Sequence, residues 1–137
     1  MLSSILLVDD DPTTNFVNER LLRLLSVSQE VLVATNGQDG LDIVKSRCLD
    51  EAVSCPDLVL LDMKMPVMNG FEFLEAFVQL PVGQSHPIIV LLTSTQLDQD
   101  LSRLQHLPVT DYLTKPLTTE KITTLLSRHF NPDQLSN

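Results

Sequence analysis

Basic residues are scarce in this 137-residue chain: nine Lys plus Arg stand against eighteen Asp plus Glu, a formal net charge of −9. Nonspecific nucleic-acid binding depends on cations that neutralise phosphates, and no basic run or basic-aromatic interleaving supplies them. Direct DNA binding is therefore not expected; proteins or cations are the expected partners. Long apolar runs are missing too. Asp, Lys or Pro interrupts each one before it reaches membrane-spanning length. The opening Met1-Leu2-Ser3-Ser4-Ile5 lacks the basic region of a secretion signal. A cytoplasmic chain with no membrane contact is the expectation. Only two cysteines, Cys48 and Cys55, and three histidines, His86, His106 and His129, occur. None shows the paired spacing of a zinc site. The cysteines are expected as reduced thiols, which suits that compartment. No internal repeat, low-complexity tract or attached module interrupts the pattern. Residues 1–130 read as one domain and 131–137 as a polar tail that frays.

What is present centres on Asp57-Leu58-Val59-Leu60-Leu61-Asp62-Met63-Lys64-Met65-Pro66. Its four-residue apolar run is short for a helix and right for a strand buried on both faces, as in parallel sheets. The run ends on Asp62, and Pro66 discourages a regular element from continuing. Asn69-Gly70 marks a turn before Phe71-Glu72-Phe73-Leu74 starts a new element. Asp62 then lies at the carboxyl end of a central strand, the edge where ligands bind in open α/β sheets. Taken alone, it serves equally well as a cap of the turn that follows.

The remaining elements follow in alternation. Ile5-Leu6-Leu7-Val8 is another apolar run ending on carboxylates, Asp9, Asp10 and Asp11. Pro12 suits the first turn of a helix with an acid before it as cap. Val17, Leu21, Leu24 and Leu25 recur at helical spacing to about Ser26. Glu30 to Ala34 reads as a strand and Asn36-Gly37 as a turn; Leu41, Val44 and Leu49 mark a second helix. Phe73, Leu74, Phe77 and Val78 mark a third. Pro87 to Leu92 is a buried strand that runs into Thr93-Ser94-Thr95. A weak fourth helix is expected around Asp98 to His106, then a short strand from Val109 to Leu113. Lys115-Pro116 follows, and Thr118 or Thr119 opens a last helix carrying Ile122, Leu125 and Leu126. Five strand-helix units predict a parallel sheet covered by helices on both faces, with right-handed crossovers.

That fold brings Asp9, Asp10, Asp62, Thr93 and Lys115 to one edge. Gathered carboxylates repel one another unless they share a proton or a cation. Oxygen ligands alone suit a hard ion such as Mg²⁺. A lysine and a hydroxyl aimed at the same place suit an oxyanion, and the set together suits phosphoryl transfer. On local pattern alone, Thr93-Ser94-Thr95 also read as a helix cap, Tyr112 as a strand aromatic and Lys115 as a solvated lysine. Met63, Met65 and Met68 read as packing.

With these residues in place, the sequence resembles the CheY-like receiver domains of two-component response regulators, from about Ile5 to Phe130. The resemblance is carried by Val8-Asp9-Asp10, by Asp62 with Met65-Pro66 and Asn69-Gly70, by Leu91-Leu92-Thr93-Ser94, and by Tyr112-Leu113-Thr114-Lys115-Pro116. It implies a flavodoxin-like (βα)5 doubly wound sheet in strand order 2-1-3-4-5. It implies a signalling domain rather than an enzyme, in which Asp62 accepts a phosphoryl group from a phosphohistidine on a sensor histidine kinase or histidine phosphotransfer protein. Asp10, Asp62 and the backbone carbonyl of Lys64 would hold Mg²⁺, with Asp9 acting indirectly through water. Lys115, preceding a cis proline, would pair with the phosphoryl oxygens. Thr93 and Tyr112 would switch the face made by the fourth helix, last strand and last helix. That face would contact an unnamed downstream protein, and it leaves homodimerisation open. With no output module expected, the chain would act as a CheY-like effector, a phosphorelay intermediate or a phosphate sink.

Two positions depart from the family pattern. His106-Leu107-Pro108-Val109-Thr110 replaces a small-residue segment, and Lys64 borders the path of attacking water. The rival reading is a Mg-dependent phosphohydrolase with an aspartyl nucleophile. Haloacid-dehalogenase-type enzymes place a second Asp two residues beyond the nucleophile, where this chain has Lys64. A nucleotide-binding flavodoxin-like module is disfavoured because an acidic triplet, rather than a phosphate loop, follows the first strand.

Overall fold

The computed structural model describes residues 1–49, 55–63, 65, 67–80, 87–93 and 107–132. The strands are β1 (Leu2–Val8), β2 (Ser28–Ala34), β3 (Leu58–Asp62), β4 (Ile88–Thr93) and β5 (Asp111–Thr114). The helices are α1 (Pro12–Leu25), α2 (Gly37–Cys48), α3 (Gly70–Val78) and a C-terminal helix (Thr119–His129). All strand pairs are parallel and the order is β2-β1-β3-β4-β5, as the resemblance implied. The expected fourth helix lies outside the described residues.

Side-chain alternation in the three central strands builds two cores. Leu6, Val8, Val59, Leu61, Ile89 and Leu91 face α2 and α3, where Val44, Phe73 and Leu74 are fully buried. Their neighbours Ile5, Leu7, Leu58, Leu60, Val90 and Leu92 face α1 and the C-terminal helix, against Leu22, Ile122 and Leu125. This period-2 division explains the continuous apolar runs, since both faces of each strand are covered. Each large side chain so buried contributes about 1.5–3 kcal/mol. At the sheet's amino edge, Asp57 joins three strands: its Oδ2 accepts from Ser3 N at 2.6 Å, its N donates to Ser4 O, and its O accepts from Ile88 N.

Several local expectations are corrected. In α1 the buried line is Asn15, Asn18 and Leu22, while Val17 and Leu24 are 55% and 74% exposed. The helix is rotated because two asparagines occupy the inward face. Asn36 and Asn69 act as helix N-caps, accepting from Asp39 N and Glu72 N, where simple turns were expected. Leu49 and Val78 are exposed, since each lies at or just past the end of its helix. β1 begins three residues early because Leu2 pairs with Ser28, and β5 begins two residues later, at Asp111. The largest correction concerns the cysteines. Cys48 ends α2 and Cys55 starts the approach to β3, and their Cα atoms lie 4.4 Å apart, joined by a disulfide. Reasoning from compartment speaks of redox conditions; it carries no information on which side chains the chain path brings together.

Candidate functional site

β1 and β3 run side by side and pair Val8 with Leu61, so Asp9 and Asp62 leave the sheet as neighbours. Asp9 is 2% exposed and Asp62 8%. Asp10 points into solvent, yet carboxylate oxygens of Asp9, Asp10 and Asp62 all lie within 4.8 Å of one another. The turn that carries them is tightly tied. Asp9 N donates to Ala34 O, Asp9 Oδ1 accepts from Asp11 N at 2.9 Å, and Asp9 O accepts from Asn15 Nδ2 at 2.8 Å. Asp11 stands outside the cluster as the N-cap of α1. The Thr14 hydroxyl, then the Thr13 N–H, hold its carboxyl below the ordinary value.

β4 and β5 supply the other groups. Thr93 ends β4, is 6% exposed, and pairs with Thr114. Its carbonyl accepts from Lys115 N at 2.6 Å, which turns the chain after β5 back over the sheet edge. The Lys115-Pro116 peptide is cis, as the resemblance implied. From there Lys115 Nζ reaches Asp9 Oδ2 at 3.0 Å and Asp62 Oδ1 at 3.2 Å. Burial pulls the lysine's pKa down, but the hydrogen bond it donates to Asp9 and the charge of Asp62 outweigh it, so the pKa lies above its ordinary value. Lys115 is therefore a charged member of the cluster. The local reading of it as a solvated surface lysine is overturned. Tyr112, on β5, is 41% exposed. Lys64 lies outside the described residues.

Three carboxylates and one ammonium leave two formal negative charges at the site. A hard divalent cation held by oxygen donors fits that donor set, and Mg²⁺ is the expected ion. The loop after Asp62 is shaped by close backbone approach. A Cβ on Gly70 would lie 2.9 Å from Met63 Sδ, 3.0 Å from Met63 Cα and 3.1 Å from Asp62 O, so a larger residue would push the Met63 side chain aside and α3 back from the strand end. Val67 in this loop holds φ at 69° while 79% exposed, a conformation that costs a β-branched residue about 1–3 kcal/mol.

Sequence reasoning placed Asp9, Asp10, Asp62, Thr93 and Lys115 together, and the structure does the same. It missed Asn15, whose amide fastens Asp9 from inside α1. The available signal was phase: Asn15 and Asn18 share the helical face of Leu22.

The model of the response regulator receiver domain family matches residues 5–127. Protein PilH of Pseudomonas aeruginosa is 30% identical over 123 residues, covering 88% of this chain and 92% of that protein. A two-component response regulator structure from Cytophaga hutchinsonii superposes with a TM-score of 0.80 at 27% identity, over 93% of this chain and 96% of that one. The receiver domain of sensor histidine kinase PA1611 from Pseudomonas aeruginosa, described with magnesium in its active-site cleft, superposes with a TM-score of 0.68 at 27% identity, over 92% and 95%. The chain spans about half or less of some longer curated relatives, 14% of a sensor histidine kinase and 51% of a probable response regulator.

Proposed function

The chain belongs to the response regulator receiver domain family, a family of signalling domains, and on that premise we propose that Asp62 is its phosphoacceptor. The observation that carries this reading is the placement of Asp62 at the end of a fully buried strand, with Asp9 and Asp10 beside it and Lys115 Nζ at 3.2 Å. One Asp62 carboxylate oxygen attacks the phosphorus of a phosphohistidine. The phosphorus–nitrogen bond breaks and its electron pair leaves with the imidazole, giving an acyl phosphate on Asp62. Lys115 pairs with a phosphoryl oxygen, moving from its present bridge between Asp9 and Asp62. Asp10, Asp62 and the Lys64 carbonyl are the groups that would hold Mg²⁺, with Asp9 acting through water. When bound, the ion neutralises charge on the transferring phosphoryl group.

The donor is a sensor histidine kinase or a histidine phosphotransfer protein. Supporting this, α1 exposes Phe16, Val17 and Leu24, and a groove lined by Thr13, Thr14, Val17, Lys115 and Leu117 leads from that helix to the site. After transfer, Thr93 bonds the phosphoryl group, Tyr112 turns inward, and the face that includes β5 and the C-terminal helix changes shape for a downstream protein or a second copy of the chain. A phosphoryl group adds about −1.5 to −2 charges and three strong acceptors, enough to reorganise these donors.

Intact mass after incubation with acetyl phosphate and Mg²⁺ tests the reading. We expect one phosphoryl adduct that is absent from Asp62→Asn and from a metal-free control. An adduct that persists in Asp62→Asn would place the acceptor elsewhere. Size-exclusion chromatography with and without the adduct reads the dimer.

A further inference from the structure

Lys121 breaks the usual rule for a helix start. It is the third residue of the C-terminal helix, behind the N-cap Thr118. At that position a Thr cap favours Glu, which completes a capping box and suits the positive helix end. α3 follows the rule with Asn69 and Glu72. The C-terminal helix instead places a cation there. Its ammonium turns back and donates to Thr114 O at 2.7 Å, Pro116 O at 3.0 Å and Thr114 Oγ1 at 3.2 Å. An ammonium has three donors, and all three are spent on the two residues that flank Lys115.

We infer that Lys121 is a positioning residue for Lys115: by holding the carbonyls on both sides of Lys115, it aims that residue's ammonium between Asp9 and Asp62. Among the described residues, the polar contacts of Lys115 itself are its N–H to Thr93 O and its Nζ to Asp9 and Asp62. The segment leaves the last residue of an edge strand; Leu117, 8% exposed, roots its far end in the core, and Lys121 holds the Thr114 and Pro116 carbonyls between the two. Lys121 also belongs to the helix proposed to change on signalling. The clamp therefore ties the position of the site's cation to the position of that helix, and binding at one alters the other reciprocally.

The inference rests on the phosphoacceptor reading only where phosphoryl transfer is concerned, so its test has one arm independent of transfer. Reaction of the folded protein with an N-hydroxysuccinimidyl acetate, read by peptide mass, compares Lys115 with the exposed Lys45 as internal standard. In Lys121→Met we expect Lys115 to react several-fold faster relative to Lys45, because an ammonium no longer aimed between Asp9 and Asp62 is more open to the reagent. Lys121→Arg, which keeps cationic donors, restores the wild-type ratio, and Lys121→Gln falls between. Circular dichroism at the labelling temperature establishes that each variant is folded, and should Lys121→Met not fold, Lys121→Gln against Lys121→Arg decides. An unchanged Lys115 ratio overturns the inference. In the second arm, Lys121→Met is expected to slow phosphorylation by acetyl phosphate on the order of threefold to tenfold, the effect of a small misplacement. The Mg²⁺ concentration giving half-maximal rate stays the same, since Lys121 contacts no carboxylate of the site. If wild-type protein takes no phosphoryl group while Lys115 labelling still responds to Lys121→Met, the clamp stands and the phosphoacceptor reading falls. If phosphorylation proceeds and neither rate nor labelling responds, Lys121 is a surface donor and nothing more.

Discussion

β3 and β5 bring their functional residues to the same edge of the sheet by opposite means. All five residues of β3 are buried, between β1 and β4 and under helices on both faces. β5 is an edge strand whose residues alternate between half-buried and exposed, and it pairs only with β4. The carboxylate proposed as phosphoacceptor sits on the strand packed on both faces. The residues proposed to switch, Tyr112 and the Lys115 segment, sit on or after the strand that, among the described residues, pairs on one side alone. A buried element holds a nucleophile to a fraction of an ångström, because any displacement disturbs close packing on both faces. An edge element can exchange rotamers at small cost, because water replaces the contacts it gives up.

The largest test of this contrast is a pair of truncations. Leu60→Ala in β3 removes a side chain with no exposure and is expected to cost about 2–5 kcal/mol in urea unfolding. Leu113→Ala in β5, only half-buried, should cost less than half as much. Equal losses would mean that the edge strand is as firmly packed as the centre. Next in size is the metal. Mg²⁺ at ten times its dissociation constant should raise unfolding free energy by about 1.4 kcal/mol. Asp10→Ala should abolish that gain. Because Asp10 is exposed and stands beside two other carboxylates, the variant's metal-free stability should stay near wild type or rise as repulsion falls.

The smallest effect concerns the start of β5. Burial would raise the Asp111 pKa, but hydrogen bonds from His129, the Tyr112 N–H and Arg128 outweigh it and hold the carboxyl below its ordinary value. Arg128 Nη1 lies 2.6 Å and His129 Nε2 2.9 Å from its Oδ2. A depressed carboxylate contributes its full stabilisation above the unfolded pKa and loses it as pH falls through the folded value. Asp111→Asn should therefore be slightly less stable than wild type at neutral pH, with the difference closing below about pH 4. A gap that persists at lower pH would assign the loss to packing rather than charge.

Most of the chemistry was legible in the chain before any coordinates. Apolar runs ending on Asp9-Asp10, on Asp62 and on Thr93 place three functional ends at one edge, because parallel strands share a carboxyl side. The parts that could not be read depend on phase and proximity. The α1 stripe of Val17 and Leu24 was out of register with the real inward face, since a polar-apolar pattern does not anticipate two buried asparagines, one of them bonded to the Asp9 carbonyl.

A parallel sheet covered on both faces and the edge on which the acidic residues meet were determined by the linear pattern, because burial on both faces writes itself into runs of Leu, Ile and Val; the strand order came with the family resemblance. Tertiary structure alone decided the rest: that Lys115 is an ion-paired member of the cluster, that Lys121 clamps the residues around it, and that Cys48 and Cys55 are joined. Hydrophobic periodicity is a local signal with a repeat of two or three to four residues. Hydrogen bonds and ion pairs between distant side chains depend on where the folded backbone delivers them, and no local repeat carries that distance.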